Sequence, residues 1–218
     1  MGKAIERLLS ETQDNLIAIV DNEADFNNNI DAIKRCDVAF EFSTPETAYQ
    51  NILFCFENNI PVICGTTGWL ENLEEIKKLC VEKKQSMVFA ANFSIGMNIF
   101  MEANKHIAKM MSKFNLYDVS MSETHHIHKK DKPSGTALVL SQIISEQLHP
   151  ELINIESIRE GEVIGEHTIN YKSNVDIITL KHEATNRDAF AFGAILAARW
   201  IFGKQGFFGM SDIINSNN

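Results

Sequence analysis

DVAFEFSTPETA, Asp37 to Ala48, passes from an apolar run straight into a helix start. Ser43 reads as a capping-box serine, with Glu46 three residues on and Pro45 in the first turn. A strand feeding a capped helix is half of a βαβ unit, and the same alternation continues on both sides. LIAIVD (Leu16 to Asp21) precedes it; IPVICGTT (Ile60 to Thr67) and SMVFAANFS (Ser86 to Ser94) follow, each reading as a strand. Between the last two, ENLEEIKKLCVEKK carries acids in its first half and lysines in its second, as the helix dipole favours. The first ninety-odd residues therefore predict α/β structure around a mostly parallel sheet.

From Ile95 the pattern changes. A long helix with apolar residues at helical spacing leads into YDVSMSETHHIH, which alternates with period two. The helix TALVLSQIISEQL comes next, then extended stretches through IREGEVIGEHTINY and NVDIITLKHEA. This predicts a second, α+β part with an open sheet. The last helix, AFAFGAILAARWIFG, is followed by GFFGMSDII, which reads as a short returning strand. There are no repeats and no low-complexity linker.

With 218 residues, 44% of them hydrophobic, the chain has room for one large domain or two modest ones. Cys36, Cys55, Cys64 and Cys80 lie in apolar surroundings without a CxxC pair and read as buried thiols of a reducing compartment, so a cytoplasmic location is expected. No stretch approaches the ~18 apolar residues of a membrane span. Acids exceed bases by 29 to 20, a net charge of −9, which argues against a nucleic-acid partner. In so acidic a chain a local basic cluster is informative. The densest is HHIHKKDK, holding Lys129, Lys130, Lys132 and three histidines.

Ligands of parallel α/β sheets gather at the carboxyl ends of strands. Asp21 closes LIAIVD about 20 residues beyond Gly2, the offset at which a carboxylate accepts the hydroxyls of an adenine ribose; aspartate is also an ordinary turn residue. GTTG, Gly65 to Gly68, pairs two flexible positions with the hydroxyls of Thr66 and Thr67, suiting close backbone approach to a ring or ribose, although a plain glycine turn reads the same. Ala90, Ala91, Asn92 and Phe93 end the next strand with small residues and an aromatic, a shape suited to a flat nicotinamide. The GxGxxG loop that should cradle a pyrophosphate is not in the chain as given. MGKAIERLL reads as already inside the helix after it, with Met1 and Gly2 as the end of the loop. The expectation is either a trimmed copy or a fold whose first strand is missing.

The most informative segment is ETHHIHKKDKPSGTAL, Glu123 to Leu138. In a strand His126 and His128 would point one way and His125 and Ile127 the other. Ser134 can cap the next helix, whose free N–H groups form a carboxylate site at Gly135 and Thr136. Histidine supplies a proton donor near neutral pH, and Lys129 a second donor and a fixed charge. A zinc site is disfavoured, because Lys129 and Lys130 repel a cation and no cysteine or paired carboxylate completes a shell. His106, His149, His167 and His182 read individually as structural or surface residues.

Taken in order, MGKAI, DVAFEFSTPETA, GTTGW, ANFSIGMN, ETHHIHKKDKPSGTAL, REGEVIGEH, FAFGAILAARWI and GFFGMSDII resemble the 4-hydroxy-tetrahydrodipicolinate reductase family of lysine and diaminopimelate biosynthesis, over essentially the whole chain. The resemblance implies a Rossmann-like cofactor domain, residues 1–93 and 187–218, and an α+β substrate-binding and oligomerisation domain, residues 94–186, with hinges near Ser94 and Arg187. It implies that His125 exchanges the catalytic proton and Lys129 is the second donor, with His126, Gly135 and Thr136 binding substrate carboxylates. Gly65, Thr66, Thr67, Ala90, Ala91, Asn92 and Phe93 would contact NADH or NADPH, with Asp21 on the adenosine ribose. Asn22, where some members place an arginine for the 2′-phosphate, leans towards NADH. No metal, membrane or nucleic acid is implied, and the assembly is expected to be a homotetramer.

Overall fold

Every residue of the strand Val62–Cys64 (β2) is buried, which happens when both faces of a sheet are covered. Its side chains alternate between two cores. Ile63 joins Val88, Ile5, Leu9, Ala194 and Ile195, whereas Val62 and Cys64 join Met87, Ile52, Phe56, Trp69 and Ile76. The chain is described here from a computed structural model over residues 1–114, 116–148 and 153–216. It divides into two units, Met1–Ile95 with Phe190–Asn218, and Gly96–Ala189.

The first unit holds β1 (Ala39–Glu41), β2, β3 (Ser86–Phe89) and β8 (Gly206–Phe208) as a four-stranded sheet in the order β1-β2-β3-β8, parallel throughout. Helices α1 (Gly2–Leu9) and α7 (Asp188–Trp200) line one core; α3 (Pro45–Glu57) and α4 (Leu73–Glu82) line the other. The small residues of α7 set how close it comes: a Cβ on Gly193 would stand 1.8 Å from the Phe93 carbonyl oxygen.

Two sequence expectations fail in this unit. Leu16 to Asp21 is not a strand, since no described residue pairs with it and a strand exists only through its ladder. Leu16, Ile17, Ile19 and Val20 are accordingly exposed, and Asp21 begins the turn into α2 (Glu23–Ile33) rather than ending a strand. The cap of α3 is Thr44, not Ser43. The Ser43 hydroxyl is drawn instead to the buried Glu41 carboxylate, a stronger acceptor than a neutral oxygen. The tail forms β8 as expected and continues into α8 (Met210–Ile214).

In the second unit β4 (Asp118–His125), β5 (Ile155–Arg159), β6 (Gly165–Lys172) and β7 (Ile177–Ala184) form a mixed sheet ordered β5-β4-β6-β7. β4 runs parallel to β5 and antiparallel to β6. Helices α5 (Ile95–Met111) and α6 (Gly135–Leu148) cover one face, packing Met97, Phe100, Leu140 and Ile144 on Met121, Ile169 and Tyr171. Period-two alternation then puts Met121, Glu123 and His125 on the covered face and Ser120, Ser122 and Thr124 on the other. The alternation ends at His125. Ile127 and His128 lie in a turn and are exposed, so the expected two-faced arrangement of the histidines does not extend past the strand. No helix among the described residues is long and apolar enough to cross a membrane.

Candidate active site

Glu123 is the buried centre of the second unit's polar cluster. It lies two residues before His125 on β4, opposite His167 of β6, while Arg159 of β5 pairs with His125 in register. Directly opposed residues share a face, so the sheet brings all four side chains together. Glu123 Oε1 accepts from the Ser134 backbone N–H at 3.1 Å and from Arg159 Nη2 at 3.0 Å. Oε2 lies 3.0 Å from His125 Nδ1 and 4.0 Å from His167 Nε2. The His125 contact is close but not aligned as a straight hydrogen bond, and neither of its atoms has a hydrogen-bond partner elsewhere.

The electrostatics follow from burial and charge. Burial alone would raise the Glu123 pKa, yet the Ser134 donor and the Arg159 guanidinium overcome it and hold the carboxyl below its usual range. Burial pushes His125 down; Glu123 opposes this while Lys129 and Arg159 reinforce it. His167 is pushed down to about 4, again mainly by burial. A Cβ on Gly165 would stand 3.1 Å from His125 Nε2, so the bare backbone there leaves room for the ring.

The other expected residues surround this cluster within the same unit. Ser134 caps α6, its Oγ accepting from the Ala137 N–H at 3.2 Å, and the open space at Gly135 begins the helix. Thr136 is half-buried, as is His126, whose Nδ1 has no hydrogen-bond partner. Lys129 is paired with Asp131 at 2.8 Å. Arg159 ties down that loop as well, donating to the carbonyls of Asp131 at 2.5 Å and Lys129 at 3.4 Å.

Glu123, Arg159 and His167 are the residues that sequence reasoning passed over. By itself in the sequence His167 reads as structural or surface, but it is 3% exposed and inside the cluster. Phase was the available signal: in GEHTINY it shares a face with Ile169 and Tyr171, and in SMSETH Glu123 shares one with Met121. Polar groups in an apolar phase are rarely left without a purpose. Glu123, His125 and His167 could also offer a cation three ligand atoms within 4.8 Å of one another. Arg159 already pairs with that carboxylate through Oε1, and its charge opposes a cation at the neighbouring Oε2.

In the first unit, Gly65–Gly68 and Ala90–Phe93 follow the adjacent parallel strands β2 and β3 at the same carboxyl edge. Gly68 has φ +90, and a Cβ on Gly65 would meet the Phe42 ring. Thr67 and Ala91 are exposed, whereas the Thr66 hydroxyl is used internally, accepting from the Ser43 N–H at 2.9 Å. Asn92 accepts from the Ser94 N–H, and the Phe93 ring is 2% exposed and packed on Phe42. The Phe93 ring is therefore held in the core, and its carbonyl lies against Gly193 of α7. Thr67, Gly68 and Ala91 are the exposed residues of this edge, while the N–H groups of Gly65 and Ala90 are taken by the Glu41 and Cys64 carbonyls. Asp21 is exposed.

Comparison with known proteins agrees in both units. A family model described as dihydrodipicolinate reductase, N-terminus, matches residues 1–93, and its C-terminus counterpart matches residues 96–214. The 4-hydroxy-tetrahydrodipicolinate reductase of Christiangramia forsetii is 36% identical over 99% of this chain and 94% of its own length. That of Methanoregula boonei is 31% identical over 98% and 93%. Among solved structures, the dipicolinate-bound dihydrodipicolinate reductase from Paenisporosarcina sp. TG-14 superposes with a TM-score of 0.80 at 24% identity, covering 97% of this chain and 94% of that one, a likeness of fold.

Proposed function

The chain belongs to the dihydrodipicolinate reductase family, and on that premise we propose that it is an oxidoreductase reducing 4-hydroxy-tetrahydrodipicolinate to tetrahydrodipicolinate with a reduced pyridine nucleotide, a step of lysine and diaminopimelate biosynthesis. The observation that carries the reading is the cluster in the second unit: a buried imidazole, a cationic loop and an uncovered helix N-terminus. The substrate is a cyclic dicarboxylic imine. Its carboxylates would take the N–H groups of Gly135 and Thr136 at the start of α6, where the helix dipole favours negative charge, with His126 as a further donor. Lys129 would protonate the departing 4-hydroxyl as a proton is lost from the neighbouring ring carbon, and His125 would return a proton to that carbon once the hydride is in place. One hydride and one proton are consumed, and the 4-hydroxyl leaves as water.

The nucleotide supplies the hydride to C4 when bound. Gly65, Thr67 and Ala91, with the backbone of Ala90, Asn92 and Phe93, would hold its nicotinamide half, and Asp21 its adenosine ribose. Residues 1–93 and 187–218 would then form the cofactor domain, and residues 94–186 the substrate domain. NADH is favoured over NADPH, because Glu23 and Asp25 follow Asn22 in the first turn of α2 and would repel a 2′-phosphate. The polar face of the second sheet, with Ser120, Ser122 and Thr124, would mediate assembly into a homotetramer. The test of the chemistry is the double variant His125→Gln/Lys129→Ala. A loss of kcat/KM of ~10² to 10⁴ is expected, and activity within about tenfold of the parent would refute the proton-transfer roles. A second reading, a homologue that binds dicarboxylates without turnover, draws on the unpaired state of Leu16 to Asp21. Titration with NADH separates the two, since only the reductase reading requires saturable binding.

A further inference from the structure

The carboxylate of Glu123 reaches His125 and the start of α6 directly and the Lys129 loop through Arg159, yet has been given no role itself. Oε2 faces His125 Nδ1 at 3.0 Å. Oε1 holds the Ser134 N–H, and with it the first turn of α6 before Gly135 and Thr136. Arg159, bound to the same Oε1, grips the carbonyls of Lys129 and Asp131. Glu123 has no exposed side-chain surface and Arg159 little, so this ion pair cannot exchange its partners for water, and removing one half would leave the other charge buried alone.

We propose that Glu123, locked by Arg159, is a positioning residue that fixes His125 as the Nδ1–H tautomer, leaves Nε2 to exchange the proton, and holds the Lys129 loop and the α6 N-terminus in register with it. The tautomer follows from pairing. If Nδ1 carried no proton, two lone pairs would face each other across 3.0 Å, and neither atom has another hydrogen-bond partner to relieve them. With the proton on Nδ1 the same close contact becomes an attraction between an N–H and a carboxylate oxygen. Nε2 then faces the bare backbone of Gly165, where a Cβ would stand 3.1 Å away.

This inference rests on the reductase reading for its catalytic meaning, but its measurement does not. The charged and titratable groups around His125 are Glu123 on its own strand, Arg159 on β5, His167 on β6, and Lys129 and Asp131 in the following loop. Imidazole ¹⁵N NMR on the full chain without substrate should show neutral His125 protonated at Nδ1. Glu123→Gln should lower the His125 pKa by about one unit, because an adjacent opposite charge is lost, and Glu123→Asp should recover most of the shift. In activity, Glu123→Gln should lower kcat by about tenfold or more and move the alkaline limb of the pH profile to lower pH. A neutral His125 protonated at Nε2, or an unshifted pKa in Glu123→Gln, would overturn the proposal. If Glu123→Gln fails to fold, the tautomer of the parent alone decides, with Glu123→Gln/Arg159→Met as the charge-neutral control. A parent that shows the expected tautomer but reduces no substrate refutes the reductase reading and leaves the positioning intact.

Discussion

Lowering the pH below 6.5 should strip stability from the second unit, most of all through His167, the histidine pushed furthest down. Its ring is 4% exposed, and Glu123, the carboxylate that could stabilise its protonated form, is 4.0 Å away. That attraction is opposed by burial above all, and by the neighbouring His125, His182 and Lys129. Burial therefore wins, and the folded-state pKa falls from 6.5 to about 4. The sign follows from proton counts. Above pH 6.5 both states are neutral at this residue. Between 6.5 and about 4 the unfolded chain binds a proton that the native state refuses, so stability drops by about 1.4 kcal/mol per pH unit. Below about 4 the loss levels off, having reached about 3 kcal/mol. The assay is urea unfolding of the parent and of His167→Gln at several pH values from 7.5 to 4. Far-UV circular dichroism is the suitable probe, because Trp69 and Trp200 both lie in the other unit. The stability difference between the two proteins should shift against the parent by about 3 kcal/mol across that range. A flat difference, or a parent that gains on acidification, would show that His167 is protonated in the native state and paired with Glu123.

Four further outcomes are expected. Gly165→Ala puts a methyl 3.1 Å from His125 Nε2; kcat/KM should fall at least tenfold with little change in melting temperature, and unaltered kinetics would remove the ring from that position. Gly193→Ala drives a Cβ to within 1.8 Å of the Phe93 carbonyl and should cost about 3 kcal/mol, read as a loss of thermal stability in the first unit. Tyr171→Phe leaves the fully buried Asn104 Oδ1 without the donor that lies 2.8 Å from it, at a cost of about 1–3 kcal/mol; a double-mutant cycle with Asn104→Ala should recover most of it as coupling. Burial pushes the Cys55 thiol up to about 12 and that of Cys80 to about 11, and raises Cys64 too, whereas Cys36 is only half-buried. Ellman's reagent at pH 8 should therefore label at most Cys36 quickly in the native protein, and all four thiols in urea.

What was legible along the chain was whatever local physics enforces. Residues two apart on a strand and three or four apart on a helix share a face whatever else the chain does. Hence α5, β4, α6, β6 and β7 could be read from periodicity, and the Ser134 cap from its place before an apolar helix. Leu16 to Asp21 shows the limit of such reading. Its side chains have strand character, but a strand is a relation between two segments, and composition says nothing about whether a partner lies alongside. Ser43 shows a smaller version of the same limit, since the Glu41 carboxylate competed successfully for its hydroxyl.

The candidate site divides along the same line. His125, Lys129, Gly135 and Thr136 lie within a dozen residues of one another, so a single segment announced them, and the sequence by itself determined that a proton donor and an anion cradle would be close. It could not determine how the donor is held. Glu123, Arg159 and His167 meet only because β4 is parallel to β5 and antiparallel to β6 in one particular register. A shift of that register by one residue would turn His167 to the opposite face. Register is set by the packing of Met121, Ile169 and Tyr171 beneath α5 and α6, a property of the assembled core and of no single stretch of chain.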